Sequence, residues 1–137
     1  MSLEENKALV RKIIEATNKK DLAVINEFID EFVALDFVDR SSQKKLPHGR
    51  EHWKQVYAML LKDYPDLQQT IEDIIAEGDK VWFLEKGTGT SSSGKKMDAT
   101  VLAMFRIVNG KFVESWGPLI LQKTPYPSHH GYTLPSI

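Results

Sequence analysis

The 137-residue chain contains no cysteine. That excludes disulfides, thiolate nucleophiles and Cys-ligated zinc or iron–sulfur centres, and it fits a reducing compartment. No apolar run approaches the roughly 20 residues that span a bilayer, and the N-terminus lacks the apolar stretch of a signal peptide. A soluble, cytoplasmic protein with no membrane partner is therefore expected. Charge of one sign is lacking too: 18 Lys and Arg nearly balance 19 Asp and Glu, for a formal net charge of −1. No bulk field draws such a chain to a phosphate backbone, so nucleic acid is not an expected partner. The length suits one domain that buries roughly two thirds of its unfolded surface.

What is present begins with helical periodicity. Ser2 and Glu5 have the spacing of a capping box, and Leu9, Val10, Ile13, Ile14 and Thr17 follow at helical intervals, which predicts a helix over about 3–18. Asp21 can cap a second helix carrying Leu22, Ile25, Phe28 and Ile29 on one face. Phe32 to Asp39 mixes aromatic and β-branched residues and reads as a short strand. Trp53, Val56, Tyr57, Leu60 and Leu61 mark a third helix from Gly49 to Lys62, stopped by Tyr64-Pro65-Asp66.

The period then changes to two. Residues 67–76, 80–91, 97–108 and 111–122 read as four strands, divided by Glu77-Gly78-Asp79, Ser92-Ser93-Gly94 and Asn109-Gly110. Helices followed by an antiparallel meander make the class α+β. Residues 124–137, with three prolines and no periodicity, form a tail beyond a domain of residues 1–123.

Asn109-Gly110 sets a register for the last hairpin. Counting outward from a two-residue type I′ turn pairs Val108 with Lys111, Ile107 with Phe112, Phe105 with Glu114 and Ala103 with Trp116. Glu114 then sits among Phe105, Phe112 and Trp116, where burial would favour its protonated form and suit it to general acid or base work. The alternative is a hydrated or ion-paired carboxylate at the rim.

Three strings carry a resemblance to the SnoaL-like polyketide cyclases of the NTF2-like superfamily. One is His48-Gly49-Arg50-Glu51 at the start of the third helix. The second runs from Tyr64-Pro65-Asp66-Leu67 through Ile71-Glu72-Asp73 and Glu77-Gly78-Asp79-Lys80-Val81 to Thr88-Gly89-Thr90. The third is Phe105-Arg106, Gly110-Lys111 and Glu114-x-Trp116. The resemblance implies a cone-shaped barrel in which N-terminal helices pack on a curved antiparallel sheet around one deep apolar cavity. It also implies intramolecular aldol closure by acid–base catalysis, without metal or other cofactor, and homodimerisation through the open face of the sheet. In the cyclases an aspartate just beyond Glu-x-Trp is the acid/base and a histidine on the preceding strand joins it. Here residues 117–122 are Gly, Pro, Leu, Ile, Leu and Gln, and residues 103–105 are Ala, Met and Phe, so that pair is missing.

Other groups are candidates by their own chemistry. His48, near a helix N-terminus, could be a neutral base, and Asp39 shares its strand parity with Val33, Leu35 and Phe37. Glu114, His48 and Asp39 are the catalytic candidates. Trp53, Tyr57, Phe83, Ala103, Phe105 and Trp116 are the candidate walls for a small apolar or aromatic ligand. Glu85 alternates with Val81 and Phe83 and offers another inward carboxylate, or else a surface partner for Lys86 or Lys95. His48-Gly49-Arg50-Glu51-His52 spells an inverted zinc motif, but Pro47 and Gly49 keep His48 out of a regular helix and no further ligand follows, so no metal is expected. His129-His130 in the tail read as solvated. The sequence thus supports a cyclase- or isomerase-like pocket protein acting on a carbonyl compound. A non-catalytic binding or assembly module is the alternative.

Overall fold

The computed structural model describes residues 2–40 and 49–124; His48, His129, His130 and the tail beyond Thr124 lie outside the described residues. Helix α1 (Leu3–Asn18) starts at the capping box: the Ser2 hydroxyl accepts from the Glu5 amide and the Glu5 carboxylate accepts from the Ser2 amide, each at 3.1 Å. This satisfies two amides that the first turn leaves without helical partners. Its Leu9, Val10, Ile13, Ile14 and Thr17 are buried. Asp21 caps α2 (Leu22–Phe32), which runs directly into β1 (Val33–Asp39).

Helix α3 (Arg50–Asp63) begins at Gly49. Gly49 has φ +93° and its amide donates to the Phe37 carbonyl at 2.8 Å; a Cβ there would lie 2.3 Å from the Leu35 carbonyl oxygen, so only glycine fits. Arg50 donates from Nε and Nη2 to the Val33 carbonyl. The start of α3 is thus fastened to β1, which fixes the residues of its first turn against that strand.

Strands β2 (Gln68–Glu77), β3 (Lys80–Thr90), β4 (Lys96–Val108) and β5 (Lys111–Thr124) form the expected meander. The sheet order is β1-β5-β4-β3-β2. The sheet departs from the expected wholly antiparallel barrel in two ways. Strand β1 pairs with β5 in parallel, and the sheet is open, with β1 and β2 at its edges. Hairpin chemistry constrains only consecutive strands, and β1 meets β5 across several intervening elements, so nothing local dictates its direction. Phe112, fully buried, meets Phe28, Trp53 and Phe105 where the helices lie on the sheet.

The closing hairpin also departs from simple counting. Asn109 and Gly110 both have positive φ, as a type I′ turn requires, and Val108 pairs with Lys111 and Ile107 with Phe112. Beyond these, Val113 is an extra residue, so Arg106 pairs with Glu114 and Phe105 with Ser115. A bulge moves every later side chain to the opposite surface. Glu114 is therefore turned away from the aromatic residues expected around it, and Ser115 takes that place. Two further register shifts follow along β5, between Leu102 and Met104 and between Thr100 and Val101.

Candidate functional site

Between α3 and the sheet lies a cavity of about 370 Å³, within the range of small-molecule sites. Its walls are mainly apolar: Ile14, Phe37, Trp53, Leu60, Phe83, Val101 and Phe105 are among them. Trp53 also stacks on Phe105 at 5.1 Å between ring centroids and meets the edge of Phe112 at 5.3 Å, so it belongs to the core as well as to the wall.

Polar groups enter this cavity at two places. The first is on β3, where Val81, Phe83 and Glu85 alternate inward against outward Trp82 and Leu84. Glu85 is only 7% exposed. The Gln69 carboxamide donates to its Oε1 from Nε2 at 2.7 Å. Burial pushes the Glu85 carboxyl up to about 7, because the charged form loses its water, while the Gln69 bond favours the ionised state and offsets part of that effect. Across from it stands Tyr57 of α3. Burial first, and then the neighbouring Glu85 charge, push the Tyr57 hydroxyl up to about 12, with polar contacts to Trp53 and Thr17 acting the other way. Tyr57 therefore keeps its proton at neutral pH and can only donate or accept a hydrogen bond.

The second place is the junction of β1 and α3. His52, almost fully buried, meets Asp39 with Nε2 and Oδ2 2.9 Å apart. Both residues and Ser115 line the cavity. In register Asp39 lies level with Ser115 and Phe105, whereas Glu85 lies level with Val101. Four residues along β4 correspond to about 13 Å, so the two polar loci lie in different parts of the cavity.

Of the residues singled out in the sequence, Asp39, Trp53, Tyr57, Phe83, Ala103, Phe105 and Trp116 line this cavity. Glu114 does not. It forms an ion pair with Arg40, Oε2 lying 3.0 Å from both Nε and Nη2. His48 falls outside the described residues. Sequence reasoning missed His52 and Gln69 as cavity residues. Gln69 was findable, since it shares the inward parity of Ile71 on β2 and of Leu67 just before it. His52 carried no such signal, because its partner Asp39 belongs to a different element. Among the described residues, no group of three or more His, Asp or Glu converges as a metal site, and no helix is long and apolar enough to cross a membrane.

Among the described residues, three helices on an open five-stranded sheet, with a cavity held between them, define an α+β fold of the NTF2-like or cystatin-like kind. Residues 7–119 match the family model for SnoaL-like polyketide cyclases, and the chain belongs to that family. No curated protein sequence matches it. Among solved structures it is similar to a SnoaL-like polyketide cyclase of Agrobacterium tumefaciens strain C58, with TM-score 0.70 and 12% identity, covering 85% of this chain and 90% of the other. That likeness speaks for the fold alone. AclR of Streptomyces galilaeus, assigned as a hydroxylase, is 28% identical with TM-score 0.72 over 87% of this chain and 76% of its own. IdmH of Streptomyces antibioticus, assigned as a polyketide cyclase, is 28% identical with TM-score 0.68 over 81% and 88%. Where the resemblance places the cyclase aspartate and histidine, this chain brings Gly117, Pro118, Ile120, Ala103 and Phe105 to the cavity wall. The carboxylates that line this cavity are Glu85 of β3 and Asp39 of β1.

Proposed function

We propose that this protein is a cofactor-independent acid–base enzyme that binds an apolar or aromatic carbonyl compound and moves a proton next to its carbonyl group. The observation that carries this reading is Glu85: one carboxyl buried in an apolar cavity, held by a single amide donor and faced by a tyrosine hydroxyl. A cavity kept only for passive binding of an apolar ligand would gain nothing from burying that group, whose desolvation is unfavourable. The Glu85 carboxylate removes the proton from the carbon beside the carbonyl. The C–H electron pair becomes the new C=C bond, and the carbonyl π pair moves onto oxygen, where the Tyr57 hydroxyl donates to the developing charge. Where a β,γ double bond makes the enolate a dienolate, it takes the proton back from Glu85 at the γ carbon, as in an isomerase; where a second carbonyl is in reach, the enolate attacks it, as in a cyclase. In the second case protonated Glu85 returns its proton to the new alkoxide. Asp39 and His52 hold a polar group at the far part of the ligand.

The test is exchange of the α-protons of 2-tetralone, an apolar aromatic ketone, in deuterated buffer. The protein should accelerate exchange, and Tyr57→Phe should lower the acceleration about a hundredfold, the loss typical of one oxyanion donor. Glu114→Gln should leave it unchanged, because Glu114 faces Arg40 rather than the cavity. Exchange no faster than in buffer would defeat the enzyme reading and favour the binding module.

We also propose that the protein is a homodimer through the open face of the sheet. There Ile75, Trp82 and Trp116, linked in register through Met104, leave large apolar surface exposed. Sedimentation velocity should give a two-chain species that Trp82→Arg converts to one chain. A wild-type monomer would refute it.

A further inference from the structure

The last two residues of α1 reach the proposed chemistry at two points, Thr17 beside Tyr57 and Asn18 through Gln69, which bonds Glu85. Thr17, fully buried, donates to the Ile13 carbonyl at 2.9 Å and lies against the Tyr57 hydroxyl. Asn18 makes a two-way bond with the backbone of Gln69: Nδ2 donates to the Gln69 carbonyl and Oδ1 accepts from the Gln69 amide, each at 2.8 Å. Strand β2 is a sheet edge, and Asn18 takes the place of a missing neighbour strand at this one residue. The Gln69 side chain then reaches Glu85, while its own Oε1 is buried without a hydrogen-bond partner.

An orphaned amide oxygen beside a carboxyl group is informative. A general base becomes a general acid during its cycle, so its partner must serve both states. Lysine or arginine would hold only the ionised form, and a second carboxylate only the protonated form. A carboxamide serves either one. Its NH2 donates to the carboxylate, and after a half-turn about its last torsion its oxygen accepts from the carboxylic acid.

We propose that Asn18 and Gln69 form a positioning relay for Glu85, in which Gln69 donates to the ionised carboxylate and accepts from the protonated one while Asn18 fixes Gln69 on the sheet edge. This inference rests on Glu85 being the working acid–base group. It assigns Asn18 and Gln69 no contact with substrate. The other titratable side chains lining the cavity are Asp39 and His52 at the β1–α3 junction and Tyr57 and Tyr64 from α3 and its end. The Tyr57 hydroxyl feels the Glu85 charge.

The experiment is a carbon-13 NMR titration of the Glu85 carboxyl in the full chain and in Gln69→Asn, Gln69→Leu and Asn18→Ala, with Glu85→Gln to assign the signal. Gln69→Asn keeps the amide chemistry but falls one methylene short of Glu85, and it sits at a half-exposed strand position that tolerates change. Because the charge-assisted bond of Gln69 to the carboxylate is stronger than its bond to the acid, the relay requires the Glu85 midpoint to rise in both Gln69 variants, by less than the roughly one pH unit that losing a bond to the ionised form alone would give. It requires a smaller rise of the same sign in Asn18→Ala, with no further rise when Asn18→Ala is added to Gln69→Asn. A purely structural Asn18 would lower the melting temperature and leave the midpoint in place, which overturns the relay. An unmoved midpoint in Gln69→Asn also overturns it, while leaving Glu85 as the acid–base group. If the parent Glu85 titrates in the ordinary carboxylate range, the reading of Glu85 fails and the relay fails with it.

Discussion

Replacing Glu85 by Gln should make the protein more stable at pH 8 by about 3 kcal/mol and change nothing below pH 4.5. The cause is linkage between proton binding and folding. In the unfolded chain Glu85 titrates at its ordinary 4.5, whereas in the fold burial raises it to about 7. Below the lower value the carboxyl is protonated in both states and carries no penalty. Between the two values the unfolded chain ionises while the folded one holds its proton, so stability falls as pH rises. Above 7 the group is ionised in both states and the fold bears the full cost of desolvating it. At about 1.4 kcal/mol per unit of pKa, the span from 4.5 to about 7 gives the stated figure. The substituted carboxamide would keep the Gln69 contact and carry no charge. Urea unfolding of both proteins at pH 4.5 and pH 8 measures the difference. Equal midpoints at pH 8 would mean that Glu85 is hydrated in the fold.

The same substitution should cost about a thousandfold in α-proton exchange of 2-tetralone, within the range contributed by a positioned general base. Exchange by the parent should rise with pH through about 7 and then level off, since only the ionised carboxylate removes a proton. The residual rate of Glu85→Gln should lose that step. Gain in stability and loss of activity from one side chain is the pattern of a group retained for function at a cost to the fold. A Glu85→Gln protein that exchanges as fast as the parent would place the chemistry elsewhere, and the Asp39–His52 pair would be the next group to vary.

The elements were legible because each is written locally. The capping box at Ser2 and Glu5, the stripe from Trp53 to Leu61 and the Asn109-Gly110 turn all act within a few residues. The buried carboxylate of the cavity was legible only by half. Period-two alternation turned Glu85 inward with Val81 and Phe83, yet the same logic applied to the last hairpin favoured Glu114. One bulge at Val113 separates the two outcomes, and no residue type in Phe112-Val113-Glu114-Ser115 announces it. Bulges answer to how the sheet curves over the helices, which is a property of the whole molecule. The parallel pairing of β1 with β5 and the meeting of His52 with Asp39 are non-local in the same sense. Family likeness supplied the cavity and its approximate walls. It also directed attention to positions 103–105 and 117–122, where this chain is apolar, and away from β2 and β3, where Gln69 and Glu85 meet.

Everything proposed for the cavity depends on Glu85 being a desolvated carboxyl poised to exchange a proton among apolar walls. The measurement that tests this most directly is the carbon-13 titration of the parent chain's glutamate carboxyls, with Glu85→Gln to identify the signal. A desolvated Glu85 requires one carboxyl with a midpoint near 7 that vanishes in Glu85→Gln. A Glu85 signal that titrates in the ordinary range near 4.5 would contradict it.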